Sequence, residues 1–597
     1  MTVKDQLTNG IAQCVETLYG VVPSPKQIQL QTTRKEFAGD YTLVVFPFTP
    51  LSKKKPEDTA TEMGEYLLQA LPLVADFNVI KGFLNLSITT DFWTSFVQEQ
   101  QDQSQFGYQA LAADVNPVMI EFSSPNTNKP LHLGHIRNIL LGDSLARIVE
   151  AAGTPVLRVN LVNDRGIHIC KSMLAWKKWG EGKTPSDLGK KGDHLVGDFY
   201  VKFDVEYRKE VAGLIEQGVD AEEAKKQAPS LLEAQEMLRQ WEQGEPEVIE
   251  LWSRMNSWVY EGFDETYEKL GIRFDKIYYE SNTYQLGKKW VLQGLENNQL
   301  VQDDDGSIWA DFTAEGLDRK ILMRSDGTSV YMTQDIGTAV QRFEEYPIQQ
   351  HIYVVGNEQN YHFQVLKLVL AKLGFDFSDR IFHLSYGMVE LPEGKMKSRE
   401  GKVVDADDLY LEMIQTAAES AAASVKLADM EADELNEVVR KIALAALKYF
   451  ILKVDPKKTM VFSPSESIDF NGNTGPFIQY TYARTASILR SAREQQVDFQ
   501  QPAETSFEPN EAELLISKTL YEFPELIQEA AQNLSPALVA NYIYQLAKEF
   551  NRFYHEYPIL KAESGAAKTF RLQLCSLTNI VIKNGMALLG IPVPEKM

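Results

Sequence analysis

Cysteine is scarce in this chain of 597 residues, and the three present, Cys14, Cys170 and Cys575, lie far apart. No CxxC pair exists, which excludes a zinc ribbon and leaves no disulfide framework to read. Long apolar runs are missing as well. The most apolar stretch, Ile442 to Val454, is broken by Lys448 and Lys453 and falls short of the ~20 residues that a bilayer span needs. The opening Met1-Thr2-Val3-Lys4-Asp5 has neither the basic nor the apolar segment of a secretory leader. A reduced, cytoplasmic protein without a membrane role is the expectation. Positive charge is also in deficit: 60 lysines and arginines face 83 aspartates and glutamates, a net charge of −23. That balance leans against broad phosphate binding, although local patches, not the total, decide contact with nucleic acid. No internal repeat or low-complexity tract is present.

What is present has the composition of an ordinary globular protein, on a chain too long for one core, so several domains are expected. Residues 1–110 read as a small α+β unit, with helical spacing from Val3 to Leu18 and strand-like runs at Tyr41–Phe46 and Phe83–Leu86. From about 115 the texture becomes alternating strand and helix. Val118–Phe122 is an apolar run, Ile136–Ala151 a periodic helix stopped by Gly153, and Val156–Leu161 a second strand. A second such unit comprises Ile352–Val355, Phe363–Leu373 and Phe382–Tyr386. Two β-α-β units imply a Rossmann-like parallel sheet with right-handed crossovers over 111–404. The charged, helix-rich stretch of about 171–290 reads as an insertion. Residues 405–473 and 474–597 are almost wholly helical and read as a connecting region and a terminal bundle.

The loop after the first strand carries Lys129-Pro130-Leu131-His132-Leu133-Gly134-His135. Ligands of parallel α/β sheets collect at the carboxyl ends of strands, and a helix N-terminus offers unpaired N–H groups to phosphate. Gly134 lets a flat base approach the backbone, while His132 and His135 can donate to phosphate oxygens as charge develops. An isolated pair of histidines would as readily be a cap and a core residue; the strand-loop-helix context favours chemistry.

The His-x-Gly-His element resembles that of class I aminoacyl-tRNA synthetases. More narrowly, Glu121-Phe122-Ser123-Ser124-Pro125-Asn126 with Lys129-Pro130 is similar to the arginyl-tRNA synthetase version, and the likeness runs through most of the chain. The resemblance implies ATP with Mg2+, no structural zinc, L-arginine and tRNA(Arg) as partners, and a monomer. The second signature of the class falls at Lys395-Met396-Lys397-Ser398, where Ser398 stands in place of its second lysine. Arginyl enzymes commonly lack that lysine and have one before His-x-Gly-His, where Lys129 stands. Whether Lys129 or Lys397 substitutes is left open.

By the same resemblance, Glu121, Tyr331 and Asp335 match positions that bind the arginine side chain, and Asn126 and Gln359 those that hold its α-amino and carboxylate end. A guanidinium is well matched by carboxylates, since it pairs with them bidentately. Taken singly, Asp335 is as readily a helix-start carboxylate and Tyr331 a core aromatic. His362 matches a residue near the adenosine, and Met388, Lys395 and Met396 belong with the ATP subsite. Thr474–Arg484 and the terminal Asn584–Met597 are similar to the anticodon-binding bundle, with Tyr554 and Met597 at tRNA-contact positions. Gly82–Leu86 resembles the N-terminal domain that contacts the tRNA elbow, through Phe83 and Asn85. The expected function is ATP-dependent formation of arginyl-adenylate and transfer to the terminal ribose of tRNA, with activation requiring tRNA. Another class I synthetase, a nucleotidyltransferase sharing the HxGH element and a non-catalytic RNA-binding relative are the rivals.

Overall fold

The apolar run at Val118–Glu121 is the central strand, β1, of a parallel sheet in a computed structural model that describes residues 2–34, 36–390, 392, 404–422, 430–500 and 507–597. The others are β2 (Val156–Val162), β3 (Lys276–Tyr279), β4 (Gln350–Gly356) and β5 (Ile381–Tyr386). They lie in the order β5-β4-β1-β2-β3, all parallel, so that Ile120 stands between Ile352 and Arg158. Coverage of both faces explains why β1 and β4 read as unbroken apolar runs. The strand order reverses between β1 and β4, which opens a crevice beyond their carboxyl ends.

Helix α1 (Leu133–Ala151) returns the chain from β1 to β2. It runs close to the end of β1, because a Cβ on Gly142 would lie only 2.2 Å from the Phe122 ring. Between β2 and β3 come the helices of the insertion, among them α2 (Gly192–Glu216) and α3 (Pro246–Leu270). This insertion ends earlier than the expected residue 290: β3 starts at Lys276, inside the stretch read as helix-rich. A short antiparallel sheet (Val301–Gln302, Ile308–Ala310, Lys320–Met323), also unforeseen, precedes α4 (Tyr331–Glu345). Val291, Leu322, Ile336 and Leu366 share its core. At the crossing of α4 with helix Leu286–Glu296, a Cβ on Gly337 would meet the Gly287 backbone nitrogen at 2.2 Å, so only glycine permits that approach.

Helix α5 (Ala406–Ala422) and helix Ala432–Leu452 follow. Lys448, which interrupts the most apolar run, is buried and donates to the carbonyls of Leu270 and Gly590, each at 2.6 Å. Its ammonium thus meets the unpaired carbonyl end of α3. No helix among the described residues is long and apolar enough to cross a membrane.

Packing sorts these elements, as Gly107–Arg484 with Pro524–Ala547 and Ile582–Met597, into one compact unit. The second unit is Met1–Phe106, Thr485–Phe523 and Lys548–Val581. Its antiparallel sheet has the order Leu30–Thr32, Tyr41–Val44, Phe83–Ile88, Val74–Ile80. Helix Val3–Tyr19 starts with a capping box between Thr2 and Asp5 and buries Leu7 and Ile11 against Leu43 and Leu84. In the same unit Arg571 and Glu513 form a buried ion pair at 2.6 Å.

Candidate active site

His132 is the N-cap of α1: its Nδ1 accepts from the Gly134 N–H at 3.1 Å, and the His132 N–H donates to His135 Nδ1 at 3.1 Å. With both Nδ1 atoms accepting, each neutral ring carries its proton on Nε2. The two rings lie 3.9 Å apart. Burial, with the Lys129 charge added, pushes the His132 pKa down to about 4, and burial holds His135 well below the usual histidine value. Both are therefore neutral Nε2–H donors at neutral pH. Burial likewise lowers the Lys129 ammonium from its ordinary value. A cavity of about 430 Å³ opens here, bordered by Asn126, Asn128, Lys129, His132, His168, His194, Tyr200 and Asp405.

The loop that carries these groups is strained. Ser123 and Ser124 have φ of 78° and 46°, two successive left-handed residues that are not glycine. Each such residue costs on the order of 1–3 kcal/mol and persists only where its surroundings enforce it. Here the Ser123 N–H donates to Asn138 Oδ1 at 2.6 Å and the Ser124 N–H to Asn160 Oδ1 at 2.9 Å. Asn138 also donates to the Val354 carbonyl at 2.7 Å, tying this turn to β4 across the crevice. The Ser-Ser-Pro-Asn string was visible in the sequence, but its backbone conformation was not.

Glu121, expected to face a guanidinium together with Asp335, already has a cation of this chain beside it. Glu121 is buried at the end of β1, and its carboxylate forms an ion pair with the buried guanidinium of Arg342 on α4. Burial raises its pKa, but Arg342 and then His351 outweigh that and hold the carboxyl below its usual range. Its charge is met from within the chain. Asp335 sits one turn after the exposed Tyr331 on α4, and its Oδ2 lies 2.5 Å from His362 Nε2.

A different carboxylate stands near Asp335. Glu280 follows β3, with its side chain only 13% exposed. Its pKa is pushed up to about 7 by burial above all, opposed by Arg165 and reinforced by the negative charges of Asp164 and Asp335. Asp164, beyond the end of β2, accepts from Ser281 N–H (2.8 Å), Ser281 Oγ (2.7 Å) and Tyr260 OH (2.9 Å). Arg165 Nη1 lies 4.0 Å from Glu280 Oε1, and a carboxyl whose pKa is raised by burial and like charges in this way is a candidate partner for a further cation. Sequence reading missed Glu280 because it missed β3; the signal was the short run Lys276-Ile277-Tyr278-Tyr279 ahead of it.

Of the other expected residues, Asn126 and Gln359 are exposed beyond the ends of β1 and β4. Met388 follows β5 with its sulfur near Gly356. Lys395, Met396 and Lys397 lie outside the described residues. In the second unit Phe83 is half-buried, edge-on to Phe46. Asn85 is buried, accepting from Thr42 Oγ1 at 2.6 Å and donating to Asn78 Oδ1 at 2.9 Å, so its placement is that of a strand-ordering residue and not of a surface contact. Tyr554 is half-buried beside His555. Met597, expected at an RNA contact, is buried in the first unit.

Residues 98–463 match the family profile described as tRNA synthetases class I (R), catalytic domain, and residues 478–597 match the DALR anticodon binding domain. A Porphyromonas gingivalis protein named arginine–tRNA ligase is 55% identical over 597 residues, 100% of each chain. One of the same name from Bacteroides thetaiotaomicron is 56% identical over 598 residues, again 100% of each. Among solved structures, an arginyl-tRNA synthetase of Thermus thermophilus is 25% identical with a TM-score of 0.81, and each chain is covered over 100%.

Proposed function

The chain belongs to the arginyl-tRNA synthetases of class I, and from that premise we propose how its residues divide the work of an arginine–tRNA ligase. It consumes ATP to activate arginine and joins the amino acid to transfer RNA. A nucleotidyltransferase sharing only the HxGH element would lack the second match, over 478–597. The observation that carries the proposed division is the buried Glu280 carboxyl close to Asp335, beyond the carboxyl ends of the parallel sheet whose central strand leads to the His132–His135 pair.

Glu280 and Asp335 receive the guanidinium, and Tyr331 borders it. Glu121 serves this pocket indirectly, by fixing Arg342 and through it α4. Asn126 and Gln359 hold the α-amino and carboxylate end. His362 and Met388 flank the adenosine. His132 and His135 donate Nε2–H bonds to phosphate oxygens, over the first turn of α1 that includes Gly134. Lys129 neutralises charge that develops as pyrophosphate leaves, with Lys395 and Lys397 as further contributors and Met396 in the ATP subsite. The arginine carboxylate attacks the α-phosphorus, and the adenylate then passes its acyl group to the terminal ribose. Catalysis is positioning and charge stabilisation, without a covalent enzyme intermediate.

Mg2+ enters on the phosphates of the nucleotide. Asp193, His194 and Asp407 have ligand atoms within 4.8 Å of one another, but Lys191 Nζ lies 3.2 Å from Asp193 and 2.6 Å from Asp407, where a divalent ion would have to sit. In chain order, residues 1–110 contact the tRNA elbow, with Phe83 the more accessible group, 111–404 do the chemistry, 405–473 connect, and 474–597 read the anticodon with Tyr554. Three buried free cysteines fit a monomer working in a reducing cytoplasm. ATP–pyrophosphate exchange with each amino acid, with and without tRNA, tests this reading. Arginine alone should support exchange, and only with tRNA present; exchange driven by another amino acid, or at equal rate without tRNA, overturns it.

A further inference from the structure

His132 is held by a segment distant in the chain. The Leu133 N–H donates to the Val404 carbonyl and the Ala406 N–H to that of Leu131, each at 3.0 Å, so that His132 pairs across from Asp405. Asp405 also accepts from the Asp407 N–H at 2.8 Å, at the start of α5. Asp407 is in turn gripped from the insertion. Its carboxylate accepts from Lys191 Nζ at 2.6 Å and His194 Nε2 at 3.1 Å, and from Lys269 Nζ on α3 at 3.0 Å. His194 lies 3.5 Å from Asp405 and borders the same cavity as His132.

Nothing in the chemistry assigned above uses this cluster. Its groups nonetheless pair donor with acceptor: Lys191, Lys269 and the His194 imidazole stand against Asp193, Asp405 and Asp407. The Asp407 hydrogen bond is the largest of the influences that raise the His194 pKa above its ordinary value. The donors come from the insertion, Lys191 and His194 at the start of α2 and Lys269 on α3, while Asp405 and Asp407 lie at the start of α5, so the cluster joins two parts of one unit that meet at the backbone of His132. Small displacements matter there, because a shift of about 1 Å in a positioned group can cost on the order of a hundredfold in rate.

We propose that Asp407, held by Lys191, His194 and Lys269, is a positioning residue for His132, setting through the 404–406 pairing where that imidazole stands in the cavity. This rests on the role given to His132 above. The test is a double-mutant cycle on the full chain: arginine-dependent, tRNA-supported exchange for His132→Ala, Asp407→Asn and both together. Asp407→Asn should lower kcat by roughly tenfold or more, with the arginine KM changed by less than about twofold. The double variant should be no slower than His132→Ala alone, since both losses pass through one group. A purely structural Asp407 would not produce that non-additivity. Losses that multiply, or full activity in Asp407→Asn, overturn the proposal. Full activity in His132→Ala overturns the role of His132 and the clamp with it, whereas a slow His132→Ala with multiplying losses overturns the clamp alone. Should Asp407→Asn lose its cooperative melt, Lys191→Met, lacking one of three donors, enters the same cycle with the same deciding outcomes.

Discussion

Arginine binding measured by calorimetry from about pH 6 to about pH 8 interrogates Glu280 directly. In the empty pocket its carboxyl titrates near 7, against an ordinary value of 4.5, because it is buried and sees Asp164 and Asp335. A guanidinium pairs with the ionised form, so binding must draw off the proton. With a pKa of about 7, roughly one-tenth of the carboxyls are ionised at pH 6 and nine-tenths at pH 8, so affinity should rise about tenfold from pH 6 to pH 8. At pH 7 about half a proton should be released per arginine bound, which buffers of different ionisation enthalpy can count. The linkage to stability has a definite sign. The folded pKa lies above the unfolded one, so the contribution of this group is full below about pH 4.5 and lost as pH rises through about 7. The side chain is 13% exposed, and the loss is on the order of 3 kcal/mol. The empty enzyme should therefore melt lower at pH 8 than at pH 5 on this account, and arginine should restore the difference. Glu280→Gln should remove the pH step and weaken arginine by about 2–5 kcal/mol, as for one half of a buried charged pair. Flat affinity across the range, or a step that survives Glu280→Gln, would show that Glu280 is no part of the pocket.

Arg342→Met strands the buried Glu121 charge and should cost about 3–5 kcal/mol, read as a lowered melting temperature, while Glu121→Leu with Arg342→Met together should recover most of it; an unchanged melt with lost arginine binding would instead make Glu121 a ligand group. Asp335→Asn should weaken arginine by about 2–5 kcal/mol with ATP binding nearly constant, and weakened ATP binding would move Asp335 to the nucleotide side through His362. Lys129→Ala should slow adenylate formation roughly a hundredfold; near-normal exchange would assign the role to Lys395 or Lys397. Asn85→Ala removes the acceptor of Thr42 Oγ1 and the donor to Asn78 Oδ1 and should destabilise the fold by about 1–3 kcal/mol, and removing Met597 should lower the melt; unchanged melting with weaker tRNA use in either would restore a direct RNA contact.

The catalytic crevice was legible because its signals are local. The apolar run at Val118, the loop and the helix after His132 follow one another within some thirty residues, and each declares itself by period or by capping chemistry. β3 was hidden because its four residues, Lys276-Ile277-Tyr278-Tyr279, follow a long helix and show no alternation. The antiparallel strands at Val301–Met323 are two to four residues each, too short to establish a period.

Residue types and order along the chain were enough to determine the family, the strand-loop-helix that bears His132, Gly134 and His135, and the acidic residues available for a cationic substrate. Which carboxylate is assigned to the substrate rests on tertiary structure alone. Arg342 reaches Glu121 from more than two hundred residues away and neutralises it, while Glu280 arrives beside Asp335 only because β3 joins the sheet next to β2. Two carboxylates read alike in sequence; they differ because Glu121 is buried in close contact with Arg342, whereas Glu280, 4.0 Å from Arg165, is buried among the like charges of Asp164 and Asp335.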